Sequence, residues 1–113
     1  MVMNKASATY PSHVDEFREV GLTPVKADLV KPPMVGESPI NMECRLTKIL
    51  EFGTPPRCNS FVIGEVVLVH IKDEIYVNDE IQADKLKLVG RLGGELYCRT
   101  TDVFEMKRPD GLK

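Results

Sequence analysis

Apolar and polar residues alternate from Ile40 onward: Ile40, Met42, Cys44 and Leu46 take one side, Asn41, Glu43, Arg45 and Thr47 the other. Successive side chains of a strand point to opposite faces, so this period of two predicts a strand. The first set is expected on a core and the second in solvent. Leu50 and Phe52 hold the phase until Gly53, Pro55 and Pro56 interrupt it. Residues 59–71 follow another pattern. Phe61, Ile63, Val67, Val69 and Ile71 point one way, Val62, Val66 and Leu68 the other. A strand apolar on both sides predicts a central position, covered on both faces. Gly64 within it predicts a bulge or a close backbone approach.

Before these strands, residues 1–11 are polar and irregular. A helix is predicted over 13–20, capped by Ser12, with Asp15 and Glu16 in its first turn and Gly21 ending it. Val14, Phe17 and Val20 give it one narrow apolar face, which must dock on something. Residues 22–39 contain Pro24, Pro32, Pro33 and Pro39. Proline fixes φ and lacks an N–H, so this reads as an extended connector or edge strand. Val25, Leu29, Val30, Met34 and Val35 make it too apolar for a free tether. After the long strands, the pattern predicts a short strand at 75–77, a helical turn at 85–89 capped by Asp84, and a tight loop at Gly93–Gly94. Strand pieces at 96–99 and 103–107 follow, stopped by Pro109. The order predicts one mainly β, barrel-like domain over residues 1–113 with a peripheral helix.

Composition narrows the function. A chain of 113 residues with 42% hydrophobic and 28% charged residues suits one globular domain. A net charge of −2 offers no electrostatic footprint for nucleic acid. The acids Asp73, Glu74, Asp79, Glu80 and Asp84 cluster without a Lys or Arg among them, as in a solvated hairpin or loop. Cys44, Cys58 and Cys98 form no CxxC pair, and an odd number argues against a disulfide framework. His13 and His70 are both remote from the cysteines in sequence, so no metal site is expected. Reduced cysteines fit a cytoplasmic location. The N-terminus lacks an apolar signal region, and the apolar-rich run 61–71 is too short to cross a membrane and is interrupted by Glu65 and His70.

Candidate chemistry is sparse. Glu43 and Glu65 lie on different predicted strands, where paired carboxylates could perform acid–base work, although exposed sheet positions are the plainer reading. His70 reads as a satisfied core or edge residue, or as a ligand or catalytic group. Cys44 reads as a small core residue. The most site-like stretch is Arg91-Leu92-Gly93-Gly94-Glu95-Leu96-Tyr97. Arg91 suits a phosphate or carboxylate, Gly93 and Gly94 permit close backbone approach, and Tyr97 can stack or donate a hydrogen bond. A tight turn flanked by a surface Arg and a packed Tyr accounts for the same residues.

The segments DEFREVGLTPV (15–25), ESPINMECRL (37–46), FVIGEVVLVHI (61–71), VGRLGGELYCR (89–99) and VFEMKRP (103–109) occur in an order and spacing that resembles flavin-reductase-like, FMN-binding split-barrel proteins. The match covers about residues 15–109 and corresponds to the C-terminal part of such a domain. The resemblance implies a split β-barrel, incomplete because its N-terminal strands are missing. It further implies non-covalent FMN, NAD(P)H as electron donor, and a homodimer or a partner chain that supplies the missing segment. It places Arg91, Gly93, Gly94 and Tyr97 beside the flavin or its reductant. The activity it implies is that of a flavin oxidoreductase; the alternative is a non-catalytic split-barrel module for dimerisation or partner binding.

Overall fold

A computed structural model of the protein describes residues 2–109; Met1, the first residue of the stretch expected to be irregular, lies outside them. The chain forms two compact units, one running through Ile71 and the other starting at Lys72.

The first unit opens with a short helix, α1 (Val2–Ala6), where irregular chain was expected. Ser7 Oγ donates to the Asn4 carbonyl at 2.8 Å beside its last turn. The next helix, α2 (Glu16–Val20), is shorter than predicted because Asp15, not Ser12, is its cap. The Asp15 carboxylate accepts from the Phe17 amide at 3.0 Å, satisfying one of the otherwise unpaired N–H groups of the first turn. Gly21 ends the helix as predicted, in the left-handed region at φ 73° that a residue without Cβ enters readily. The connector then folds into a minimal antiparallel pair, β1 (Pro24–Val25) with β2 (Met34–Val35).

The dominant element is a long antiparallel hairpin of β3 (Ile40–Thr54) and β4 (Arg57–Ile71), joined at Pro55–Pro56. Its register shifts twice, leaving Val67 unpaired on β4 and Thr47 unpaired on β3. Gly64 sits between these two bulges, opposite Leu46, where a Cβ would lie 3.3 Å from the Cys44 Cβ. The close approach predicted for Gly64 is therefore present.

Two expectations for this hairpin are corrected. The covered face at its base is the one bearing Asn41 and Glu43, not the one bearing Met42 and Leu46. Glu43 is 2% exposed and Met42 62%. The proline-rich connector has few ladder partners for its backbone groups, so it lies where polar side chains can supply them. Second, β4 is not a central strand: among the described residues it pairs with β3 alone, and residues 57–66 are all exposed.

The second unit holds a 3-10 turn (Asp73–Ile75) around the buried Ile75. Within the acidic stretch, β5 (Tyr76–Val77) and β6 (Glu80–Ile81) form a hairpin that carries Asp79 and Glu80; Asp73 and Glu74 belong to the 3-10 turn. The helical turn α3 (Ala83–Leu86) starts before Asp84, which stands in its first turn instead of capping it. Strands β7 (Val89–Arg91) and β8 (Tyr97–Arg99) pair around the Gly93–Gly94 loop. The strand expected at 103–107 is absent: these residues form no ladder. Among the described residues the fold is thus mainly β, built of four two-stranded sheets with no ladder joining one to another. No helix among them is long and apolar enough to cross a membrane.

Candidate functional site

Two places on the chain carry organised polar chemistry. The first is at the base of the β3–β4 hairpin. Register pairs Asn41 with His70 and Glu43 with Leu68, which puts Asn41, Glu43 and His70 on one face. The connector lies over that face. Asn41 treats Val35 as a strand would, accepting from its amide and donating to its carbonyl, both at 3.1 Å. Glu43 holds the preceding turn of the connector. Its Oε1 accepts from the Asp28 amide at 2.8 Å, and its Oε2 from the amides of Leu29 (2.6 Å) and Val30 (3.1 Å).

The fourth partner is His70, whose Nε2 lies 2.6 Å from Glu43 Oε1. An ionised carboxylate only accepts, so this ring nitrogen carries the proton. Burial by itself would raise the Glu43 pKa. The Asp28 amide, the His70 side chain and the amides of Leu29 and Val30 outweigh it and bring it down to about 2. Glu43 is therefore a permanent anion at neutral pH and unsuited to exchange protons. Glu65 is paired with Arg45 on the ladder and is exposed, so the two glutamates do not form an acid–base pair.

One carboxylate oxygen each of Asp28 and Glu43 and a ring nitrogen of His70 lie within 4.8 Å of one another. That is ligand-like spacing which the linear sequence did not reveal. The two oxygens of Glu43 already accept four hydrogen bonds, which fill its lone pairs. A cation would have to displace them. Beside this cluster runs an open groove of about 270 Å³, walled by Val30, Pro32–Val35 and Asn41–Cys44.

The second place is the β7–β8 hairpin, which carries all four residues singled out from the sequence. Arg91 and Tyr97 stand directly opposite each other on the ladder. Gly93 and Gly94 form the turn between them, held by Leu92 N–H to the Leu96 carbonyl (3.0 Å) and Leu96 N–H to the Gly93 carbonyl (3.1 Å). Gly94 is at φ 59°, and nothing lies within 4 Å of where a Cβ would sit on either glycine. The Arg91 guanidinium has no hydrogen-bond or ion-pair partner among the described residues, and Tyr97 is partly exposed. A cationic group, open backbone and an aromatic ring are thus gathered on one short hairpin.

Sequence reading missed the Glu43 cluster because alternation assigned Glu43 to solvent. The available signal was indirect: Asn41 and Glu43 share the polar side of a strand that follows a connector short of ladder partners. Cys44, read as a core residue, is exposed, and all three cysteines are free.

Comparison with known proteins bears on these features. The family model "Flavin reductase like domain" matches residues 1–105, reaching further toward the N-terminus than the sequence motifs. An uncharacterized protein of Halalkalibacterium halodurans is 29% identical over 109 residues, covering 95% of this chain and 52% of that protein. Nitrilotriacetate monooxygenase component B from Bacillus cereus superposes with a TM-score of 0.83 at 31% identity, over 93% of this chain and 53% of the other. A structure from Shewanella frigidimarina, described by its split barrel domain, gives a TM-score of 0.77 at 25% identity over 95% and 54%. The chain spans about half the length of the relatives it matches.

Proposed function

Because the chain belongs to the flavin reductase like domain family and has its split-barrel type of fold with the sheet open, we propose that it is an FMN-binding oxidoreductase chain of the flavin reductase type. The observation that carries this reading is the family match over residues 1–105. The β7–β8 hairpin fits the cofactor on chemical grounds. Arg91 would pair with its phosphate, Gly93 and Gly94 would let the backbone approach closely, and Tyr97 would stack on or hydrogen-bond to it. When bound, FMN supplies the redox chemistry, taking a hydride from NAD(P)H and passing electrons to an acceptor. The chain's own part is to bind and orient. No nucleophile is required of it. Three free cysteines support a reducing compartment such as the cytoplasm.

The test is an FMN titration of the purified chain, following flavin fluorescence and melting temperature together. Saturable quenching with a raised melting point is expected, since a ligand of the folded form stabilises it by mass action. Arg91→Ala should weaken binding roughly tenfold or more, the usual worth of a charged hydrogen bond. A chain that neither quenches FMN nor gains stability from it sinks the reading.

A second reading, a non-catalytic module for dimerisation or partner binding, is favoured by the outer part of the β3–β4 hairpin. Phe52 and Phe61 on one face and Leu46 and Val62 on the other are all exposed there, and exposed apolar surface of this kind marks interaction sites. The same exposed arm supports a homodimer in the first reading. Light scattering distinguishes the cases: a colourless dimer indifferent to FMN would favour the module, and a monomer at all concentrations would oppose it.

A further inference from the structure

Three consecutive amides, those of Asp28, Leu29 and Val30, converge on a single carboxylate. Successive backbone N–H groups aimed at one point form a concavity that binds anions. Here the fourth donor is a side chain on another element, His70 of β4. The four donors divide evenly between the two oxygens: Oε1 takes Asp28 and His70, and Oε2 takes Leu29 and Val30. That arrangement matches a planar, two-oxygen anion. A spherical halide offers one centre to both pairs, and a phosphate brings two further oxygens that these four donors leave unpaired. The group inside is 2% exposed, so water does not compete for these donors.

We propose that the amides of Asp28, Leu29 and Val30, together with His70, constitute a carboxylate-binding site that the chain fills with its own Glu43. The site does not depend on the flavin reading. Its ligand class is a small monocarboxylate. Glu43 differs from alanine by one CH₂ and the carboxylate, so acetate has the shape of what Glu43→Ala removes. The charged groups facing the site are His70, which favours an anion when protonated, and Asp28, whose carboxylate comes within 4.8 Å and disfavours one. Arg45 and Glu65 are exposed further along the hairpin and make no bond to it. Anything that withdraws Glu43 would remove the anchor of residues 28–30 while leaving the bonds of Asn41 to Val35 and the short β1–β2 pair in place.

The experiment is chemical rescue. Glu43→Ala should melt well below the wild-type chain in chloride. Sodium acetate should raise its melting point by several degrees in a saturable manner, with chloride at equal ionic strength and phosphate giving no such rise. Asp28→Asn in the same background should tighten acetate several-fold by removing the like charge. Glu43→Gln, whose side chain still occupies the space, should be indifferent to acetate. Equal response of Glu43→Ala to acetate and chloride overturns the proposal, as does a Glu43→Ala chain as stable as wild type. If Glu43→Ala folds only in acetate, the expected result is obtained in stronger form. If it folds in no salt, amide exchange in the wild-type chain decides: Asp28, Leu29 and Val30 should be slowed as a set relative to Lys31, and uniform exchange across 28–31 overturns the site.

Discussion

The β3–β4 hairpin is one continuous ladder, yet its two ends live in different surroundings. At the base, Asn41, Glu43 and His70 lie under the connector, and a charged residue is the most thoroughly buried side chain among those described. In the outer arm, Leu46 is 64% exposed and Phe61 60%, although the hydrogen-bonded pairing is just as complete. Pairing alone therefore buries nothing. Strands cover their side chains only when a further layer packs on a face. At the base that layer is a segment chosen for its need of hydrogen-bond acceptors, and it selects the polar side of the strand. In the arm no described residue serves as such a layer, and apolar side chains remain on the surface.

The contrast makes predictions that differ sharply along the hairpin. Among substitutions that keep the volume of the side chain, the largest effect belongs to Glu43→Gln. A Gln amide offers one acceptor oxygen in place of two and turns donor hydrogens toward backbone donors, leaving at least one buried N–H unpaired. Loss of the melting temperature by roughly 10 °C is expected. A calorimetric scan measures it, and a change of a degree or two would remove the distinction between base and arm.

Acid should act on the same group. An ordinary glutamate titrates near 4.5 and Glu43 near 2 in the folded chain, so the unfolded chain binds its proton first. The stability Glu43 contributes is complete above pH 4.5, declines as the pH falls, and is gone once the pH passes below about 2. Urea midpoints measured from pH 5 downward should fall more steeply for wild type than for Glu43→Gln. Parallel lines for the two proteins would show that Glu43 is not held as an anion.

At the arm's tip, Gly53 adopts φ 91°, and a Cβ there would sit 2.3 Å from the Arg57 carbonyl oxygen. Gly53→Ala should cost about 1–3 kcal/mol of local stability. Faster amide exchange is expected near the tip, with the amides of 28–30 unaffected. Spread of the effect to the base would mean that the hairpin opens as a unit. The smallest effect is expected for Phe61→Thr, within about 0.5 kcal/mol in dilute solution, as for exposed positions generally. Its consequence should instead be a lower apparent mass by light scattering at high protein concentration. A large loss of stability in the dilute monomer would show that Phe61 is covered after all.

Much was legible in the chain itself. Alternation over 40–52 located β3, the Gly-Pro-Pro break located the turn, and Gly64 announced a close approach, because each is dictated by local backbone geometry. Gly21 ended α2, and Gly94 turned the last hairpin, for the same reason: a residue without Cβ enters the left-handed region readily. The ordered motifs also carried the family. Which face of β3 is covered was settled by tertiary structure. Alternation says that two faces differ, but not which one a neighbouring segment will choose. The connector groups that bond to β3 lie 6 to 15 residues away in sequence and need acceptors for their amides. That need overrides the preference of Met42 and Leu46 for burial. It turns Glu43 from a surface residue into a buried anion, and it brings in His70 from 27 residues away. Such a cluster is written in no local pattern, because its energy comes from donors that meet only when the chain has folded.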